Sequence, residues 1–308
     1  MIDLINGKNA NINSDSDGQL SYILLKKCKL INGIGGFNGI RFSRNILSEK
    51  ENVEEMWNDV FIDIFSPKEN VITIDQHIIS SDKKPIIFEN KINPHLLIEH
   101  HYSHNASFCS KYPLSTFIFI LSILEREKKV NFKIDLYREI TNDFKFIDLI
   151  LRADGALENS YKYKNNVKEW SNKIKEYSNN GKYTCEILNY LLNMDFETAK
   201  KLNEHISKFY TEHMLRNDGG YNEAYSIDFN IRNLNKFLRS YAKCFDLNLA
   251  SKNKTFFVYE GKASESKIIK ENNELNTFDT YAFIRKDVLS YTKDIIKKEE
   301  CININIYE

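Results

Sequence analysis

No run of about 18 or more apolar residues occurs in the 308-residue chain, which argues against a membrane-spanning helix. The opening MIDLINGKNANINS lacks the basic start and apolar centre of a secretory signal, so a cytoplasmic protein is expected. The five cysteines, Cys28, Cys109, Cys185, Cys244 and Cys301, are odd in number and form no CxxC pair. That argues against both a thiolate zinc site and a disulfide framework. Net charge is missing as well: 43 basic residues balance 43 acidic ones, so the basic footprint of a protein that coats long nucleic acid is absent. A small anionic substrate, neutralised by metal rather than by lysines, stays compatible. There is no internal repeat and no low-complexity tract.

The chain does have the material for a sizeable core, with 42% hydrophobic and 13% aromatic residues. Its length predicts two domains of ordinary size, set here at residues 1–180 and 181–308. In the first third, strands and helices alternate. SYILLKKC (Ser21 to Cys28) reads as a helix, CKLINGIGGFNG as a strand broken by glycines, and EKENVEEMW as a helix with an acidic first turn. VFIDIF (Val60 to Phe65) and NVITIDQHI (Asn70 to Ile78) read as strands, each with an aspartate near its end. Alternation of this kind predicts an α/β domain with a parallel sheet, whose ligands collect at the carboxyl ends of the strands. STFIFILSILEREKK predicts a core helix capped by Ser115 or Thr116, and the amphipathic DLYREITNDFKFIDLILRAD runs to Asp154. ENSYKYKNNVKEWSNKIKEY reads as a polar helix whose tyrosines are compatible with base stacking or partial burial. A break at Gly181 and further helices to about residue 245 follow. KTFFVYEG, DTYAFIRKDVL and CININIY regain strand character, giving a smaller α+β C-terminal domain.

The chemistry concentrates first in NINSDSDGQL, residues 11 to 20. An EF-hand would place Asn13, Asp15, Asp17 and Gly18 well, but its twelfth position demands a bidentate glutamate and holds Leu24. A glycosyltransferase DxD site follows a nucleotide-binding half, for which there is no room. DSDGQL also resembles the nucleophile motif of haloacid-dehalogenase-like hydrolases, with Asp15 as nucleophile, although Asn11, Asn13 and Ser14 are polar where that family uses an apolar strand. The fourth reading is a two-metal phosphoesterase, which needs several carboxylates and imidazoles converging around two cations. Asp15, Asp17, Asp63, Asp75, His77 and Asp154, each at a strand or helix end, supply them.

The order DxDG, apolar-Asp, apolar-Asp-x-His, apolar-Asp resembles the DHH phosphoesterase superfamily over roughly residues 10 to 160. The resemblance implies two manganese or magnesium ions held by Asp15, Asp17, Asp63, His77 and Asp154, with Asp75 as ligand or partner. It also implies hydrolysis of a phosphodiester or phosphoanhydride by metal-activated water, with His77 and Asp75 in catalytic roles. Two positions depart from the family: its opening histidine is Asn11 and the middle residue of its Asp-His-His is Gln76. An amide carbonyl is a weaker manganese ligand than imidazole, so a degenerate scaffold that binds nucleotide or a protein partner is the rival reading.

Substrate contacts are expected from Asn11 and Gln76, from His101 and His104 in the polar HHYSHN loop that also contains His100, and from Lys111 ahead of a helix N-terminus where an anion is favoured. DGGYNEAY (Asp218 to Tyr225) is the nearest string to a glycine-rich substrate motif. It lacks the motif's third glycine and its histidine, and reads as a loop. A small nucleotide or short oligonucleotide is the expected substrate, and a homodimer is compatible.

Overall fold

In the computed structural model, residues 2–38, 45–64, 70–76, 90–98, 111–261 and 295–308 are described. The chain is mixed α/β. Its strands are β1 (Lys8–Asn13), β2 (Ile31–Asn38), β3 (Asn45–Ser48), β4 (Val60–Ile62), β5 (Ile72–Ile74), β6 (Lys91–Ile92), β7 (Ser251–Gly261) and β8 (Ile295–Tyr307). They form one mostly parallel sheet in the order β6-β5-β4-β1-β2-β3-β7-β8. β6, β5, β4, β1 and β2 run parallel, and β3, β7 and β8 then pair antiparallel. β1 lies between β2 and β4, so the chain's progression through the sheet reverses there. In open α/β sheets the carboxyl ends of the strands beside such a reversal, here β1 and β4, are where ligands bind.

The helices are α1 (Ser16–Lys27), α2 (Val53–Met56), α3 (Pro94–Leu97), α4 (Thr116–Arg126), α5 (Phe146–Arg152), α6 (Ala156–Lys162), α7 (Lys164–Tyr177), α8 (Lys182–Asn193), α9 (Phe196–Glu212) and α10 (Ile227–Lys243). α4 is apolar on every side and buried from Thr116 to Leu124, the signature of a central helix. Its N-cap is Ser115, whose hydroxyl accepts the Ile118 N–H. α1 packs against α4 and against β1. One hydrophobic core runs from Ile2 to Ile306 and includes residues of every β strand from β1 to β8 except β3's Ile46, which belongs to a smaller cluster with Trp57, Phe61 and Tyr259.

Several expected elements differ in extent. β2 is continuous through its glycines, and α2 is a single turn. Helix α5 begins only at Phe146: residues 135–145 form a turn closed by a bridge between Glu139 and Lys145, and the Asp148 carboxylate accepts the Lys145 N–H at 2.8 Å. The polar helix divides at Tyr163 into α6 and α7. The turn expected at Gly181 separates α7 from α8, and the sheet crosses that point, because β7 pairs with β3. DTYAFIRKDVL and Cys109 lie outside the described residues. Cys28, Cys185, Cys244 and Cys301 are free thiols. Among the described residues no helix is long and apolar enough to cross a membrane.

Candidate functional site

The sequence turns sharply from β1 into α1, and this turn builds the site. Asp15 caps α1, its Oδ1 accepting the Gly18 N–H at 3.1 Å. Gly18 is required there: a Cβ would collide with the Asn13 carbonyl oxygen. Gln19 locks the turn by donating from Nε2 to the Ser14 carbonyl at 2.8 Å.

Four of the six expected ligands come together electrostatically at the reversal point. Asp15 and Asp17 follow β1, Asp63 follows β4, and Asp154 follows α5; the charges of Asp15, Asp17 and Asp154 all act on Asp63. Asn13 bridges two of them, its Nδ2 donating to Asp15 Oδ2 at 2.9 Å and to Asp63 Oδ2 at 3.0 Å. Asp63 Oδ1 accepts from the Thr116 hydroxyl at 2.8 Å. Both oxygens of Asp17 accept backbone N–H groups at the start of α4, from Thr116 at 2.7 Å and Phe117 at 2.9 Å. The helix N-terminus beside Lys111 therefore holds an anion of its own, Asp17. Asp63, with φ of 59°, lies in the left-handed region directly after a strand, whereas the other non-glycine residues of this kind among those described lie at helix ends. Such strain is sustained where the surroundings fix a residue's position, often at functional sites.

Neutral donors leave the carboxylate charges unbalanced. Burial, then the charges of Asp154 and Asp15, pushes the Asp17 carboxyl well above its usual range. Burial and the same neighbours, with Asp17, do this to Asp63. Burial together with Asp218 and Asp154 pushes Asp15 up to about 7. Asp17 and Asp63 are buried, while Asn13, Asp15 and Asp154 keep partial exposure.

A segment between α9 and α10 completes the rim. Its Asp218 carbonyl accepts the Ser16 N–H at 3.0 Å, its Gly219 carbonyl accepts from Gln19 at 3.2 Å, and the Tyr221 N–H donates to the Ser14 hydroxyl at 3.4 Å. Arg216 pairs with the Asp218 carboxylate through Nε and Nη2. Against the upward push of burial, this guanidinium and the Gly220 N–H hold the Asp218 carboxyl below its ordinary value. The DGGY string, read from sequence as a loop, thus sits on the aspartate turn. Its signal was the resemblance to a glycine-rich motif, and Asn13 was signalled only by its place at the end of β1, two residues before the Asp15 cap.

The remaining expected residues sit apart or outside the described region. Asn11, one pleat repeat back along β1, donates from Nδ2 to the Met56 carbonyl at 3.4 Å and to Asp59 Oδ2 at 3.3 Å. Asp75 is buried at the end of β5 and accepts from Asn93 at 3.0 Å, with Gln76 buried beside it. The charge of Lys111 acts on His95, and its carbonyl accepts from Asn166 at 2.7 Å. His77, His100, His101 and His104 lie outside the described residues. Among those described, no three His, Cys, Asp or Glu side chains form a ready metal-binding group. No protein-family model, curated protein or solved structure matches the chain.

Proposed function

We propose that this chain is a divalent-metal-dependent phosphoesterase with a DHH-like N-terminal region, hydrolysing a phosphodiester or phosphoanhydride of a small nucleotide or short oligonucleotide. One observation supports the reading: Asp15, Asp17, Asp63 and Asp154, from three distant segments, bring four carboxyl groups within electrostatic reach of one another at the reversal point of a parallel sheet. The donor set suits magnesium or manganese, because it is made of hard carboxylate oxygens. Each oxygen of Asp15 and Asp63 has one neutral donor and keeps a further lone pair, so these two with Asp154 would hold a cation only if the three side chains drew together, since as placed they form no ready metal-binding group. Asp17 stands behind them, anchored to α4. A bound divalent cation would offset phosphate charge and acidify water.

The chain's own residues do the positioning. Asn13 fixes the separation of Asp15 and Asp63, Thr116 orients Asp63, and the Asp218 segment clamps the α1 turn. Equal numbers of basic and acidic residues support a short substrate over long nucleic acid, and His77 remains the proposed proton-transfer residue. The test is hydrolysis of a panel of dinucleotides, cyclic dinucleotides and pyrophosphate with manganese. Manganese-dependent turnover that Asp15→Ala abolishes is the expected result, and turnover unchanged by chelator or by that substitution would sink the reading.

A second reading, a DHH-like scaffold that binds nucleotide or a protein partner without catalysis, is favoured by one arrangement: both Asp17 oxygens are taken by backbone N–H groups. Nucleotide binding with no hydrolysis across the panel would select it. The haloacid-dehalogenase-like alternative has no comparable support, since Asp15 serves as a helix cap.

A further inference from the structure

β3 is shorter than the strands on either side of it. It pairs with β2 from Gly36 to Asn38 and with β7 from Phe257 to Glu260, and the Glu49 N–H adds a last bond, to the Gly35 carbonyl at 2.8 Å. Beyond that point, among the described residues, no strand continues between β2 and β7, and the backbone groups of Ile34 need other partners. Side chains supply them. The Ile34 N–H donates to Glu308 Oε2 at 2.8 Å, and the Ile34 carbonyl accepts from Lys254 Nζ at 2.7 Å. Together these two side chains give Ile34 the acceptor and the donor that a neighbouring strand would have given it.

The Glu308 carboxylate is held as a ligand is held. Lys254 Nζ lies 2.8 Å from its Oε2 and Lys252 Nζ 2.9 Å from its Oε1, so each oxygen meets an ammonium group in a charge-assisted bond, and Oε2 meets a backbone N–H as well. Gly33 forms the floor, where a Cβ would collide with the carboxylate. The Glu308 side chain is 2% exposed. Against the upward push of burial, hydrogen bonds from Lys254 and Lys252 hold its carboxyl below its ordinary value. Lys254 is fully used: its three ammonium hydrogens serve the Ile34 carbonyl, Glu49 Oε1 at 2.9 Å, and Glu308. Those partners come from β2, from the residue after β3 and from the residue after β8.

We propose that Ile34, Gly33, Lys252 and Lys254 form a carboxylate receptor, that Glu308 is its resident ligand, and that this contact docks the β7–β8 ribbon against the parallel part of the sheet. Every group of the receptor belongs to a residue other than Glu308. The receptor therefore takes a small free carboxylate once the resident one is removed.

The experiment is chemical rescue of the full chain by sodium acetate, with sodium chloride at equal ionic strength as control, read by hydrogen exchange at the Ile34 amide. In Glu308→Ala, exchange there is expected to run roughly tenfold faster than in the wild type. Acetate, and not chloride, is expected to restore most of that protection while leaving the wild type unchanged. Glu308→Gln keeps an acceptor but fills the place that acetate would take, so its exchange is expected to be roughly threefold faster than wild type and indifferent to acetate. Exchange unchanged in both folded variants would overturn the docking contact. Faster exchange in Glu308→Ala that acetate does not slow, or an equal acetate response in Glu308→Gln, would overturn the receptor. Should circular dichroism show Glu308→Ala unfolded in chloride, folding restored by acetate is the expected result, and a chain unfolded in both salts overturns the receptor equally.

Discussion

The carboxylate of Asp17 accepts the backbone N–H of Thr116 at 2.7 Å, joining the first turn of α1 to the first turn of α4 across 99 residues. The Phe117 N–H binds the other oxygen at 2.9 Å. Two of the amide groups that a helix start leaves without intrahelical partners are therefore satisfied by a buried side chain from another element, and the central helix is oriented by an acidic residue of the candidate site.

Asp17→Ala removes both acceptors. Each buried N–H left without one costs roughly 1–3 kcal/mol, and this loss opposes the relief of an ionised carboxylate held among like charges. Burial, and then the charges of Asp154 and Asp15, make the folded carboxyl titrate well above the ordinary carboxylate range. Ionisation in the fold therefore lowers stability increasingly as pH rises above the unfolded value. The substitution is expected to cost more at pH 4.5 than at pH 8, as measured by urea denaturation of the metal-free protein. A cost that grows with pH would contradict the assignment.

Asp59 offers a cleaner case away from the cluster. Burial pushes its carboxyl up to about 6, against the opposing charge of Lys50, although Asn11 donates to it at 3.3 Å. A raised carboxyl favours the protonated fold, so stability is lost as pH climbs from about 3.8 through 6. Asp59→Asn keeps an acceptor for Asn11 and carries no charge. It is expected to stabilise the protein by about 1–3 kcal/mol at pH 8 and by close to nothing at pH 3.5, as read from denaturation midpoints at both values.

How far the site was legible depends on which residues had local signals. Helix α4 declared itself through an unbroken apolar run behind a serine cap, and Asp63 and Asp75 through their place at the ends of β-branched segments. β1 is harder: KNANIN is rich in asparagine, a poor strand former, and it becomes a central strand because β2 and β4 flank it on both sides. The Asp218 segment had no local signal for its position, since it lies about two hundred residues from Ser16 and reaches it only through the turn between α9 and α10. The pairing of β7 with β3 is equally non-local. The hydrogen bonds of Asp17 to α4 show an anchoring contact beside the ligand role expected of it, and the sequence did not signal it because a cap and a ligand look alike there.

His95 reports on the packing under α4. It is buried against Trp170, ring centroids 5.3 Å apart, and its Nε2 accepts the Tyr112 N–H at 3.2 Å, which requires the neutral ring. Burial, with the charges of Lys111 and Lys173, pushes its pKa down to about 3. The unfolded chain then binds a proton that the fold refuses, so stability is full above about 6.5 and is lost as pH falls toward 3. His95→Gln preserves an acceptor and removes the titration. Between pH 7 and pH 4 the wild type is expected to lose about 2–3 kcal/mol more than this variant; equal losses in matched denaturation series would show that His95 does not govern acid sensitivity.

Gly219 tests the clamp on the aspartate turn. Its φ of +81° belongs to the left-handed region, and an added Cβ would meet the Tyr210 ring at 2.9 Å and the Ser16 Cβ at 3.3 Å. Tyr210 cannot yield easily, being fully buried with its hydroxyl 2.9 Å from that of Tyr241. Gly7 has a similar φ of +74° but no neighbour within 4 Å of a Cβ, so Gly7→Ala measures the backbone strain alone, about 1 kcal/mol. Gly219→Ala adds the collision and is expected to cost roughly 2–4 kcal/mol. Because the Gly219 carbonyl accepts from Gln19 and the Asp218 carbonyl from Ser16, relief of the collision moves this segment off α1. Amide hydrogen exchange at Ser16 is then expected to accelerate in Gly219→Ala and to stay at the wild-type rate in Gly7→Ala. Exchange unchanged in both would mean that the segment rests on the turn without holding it.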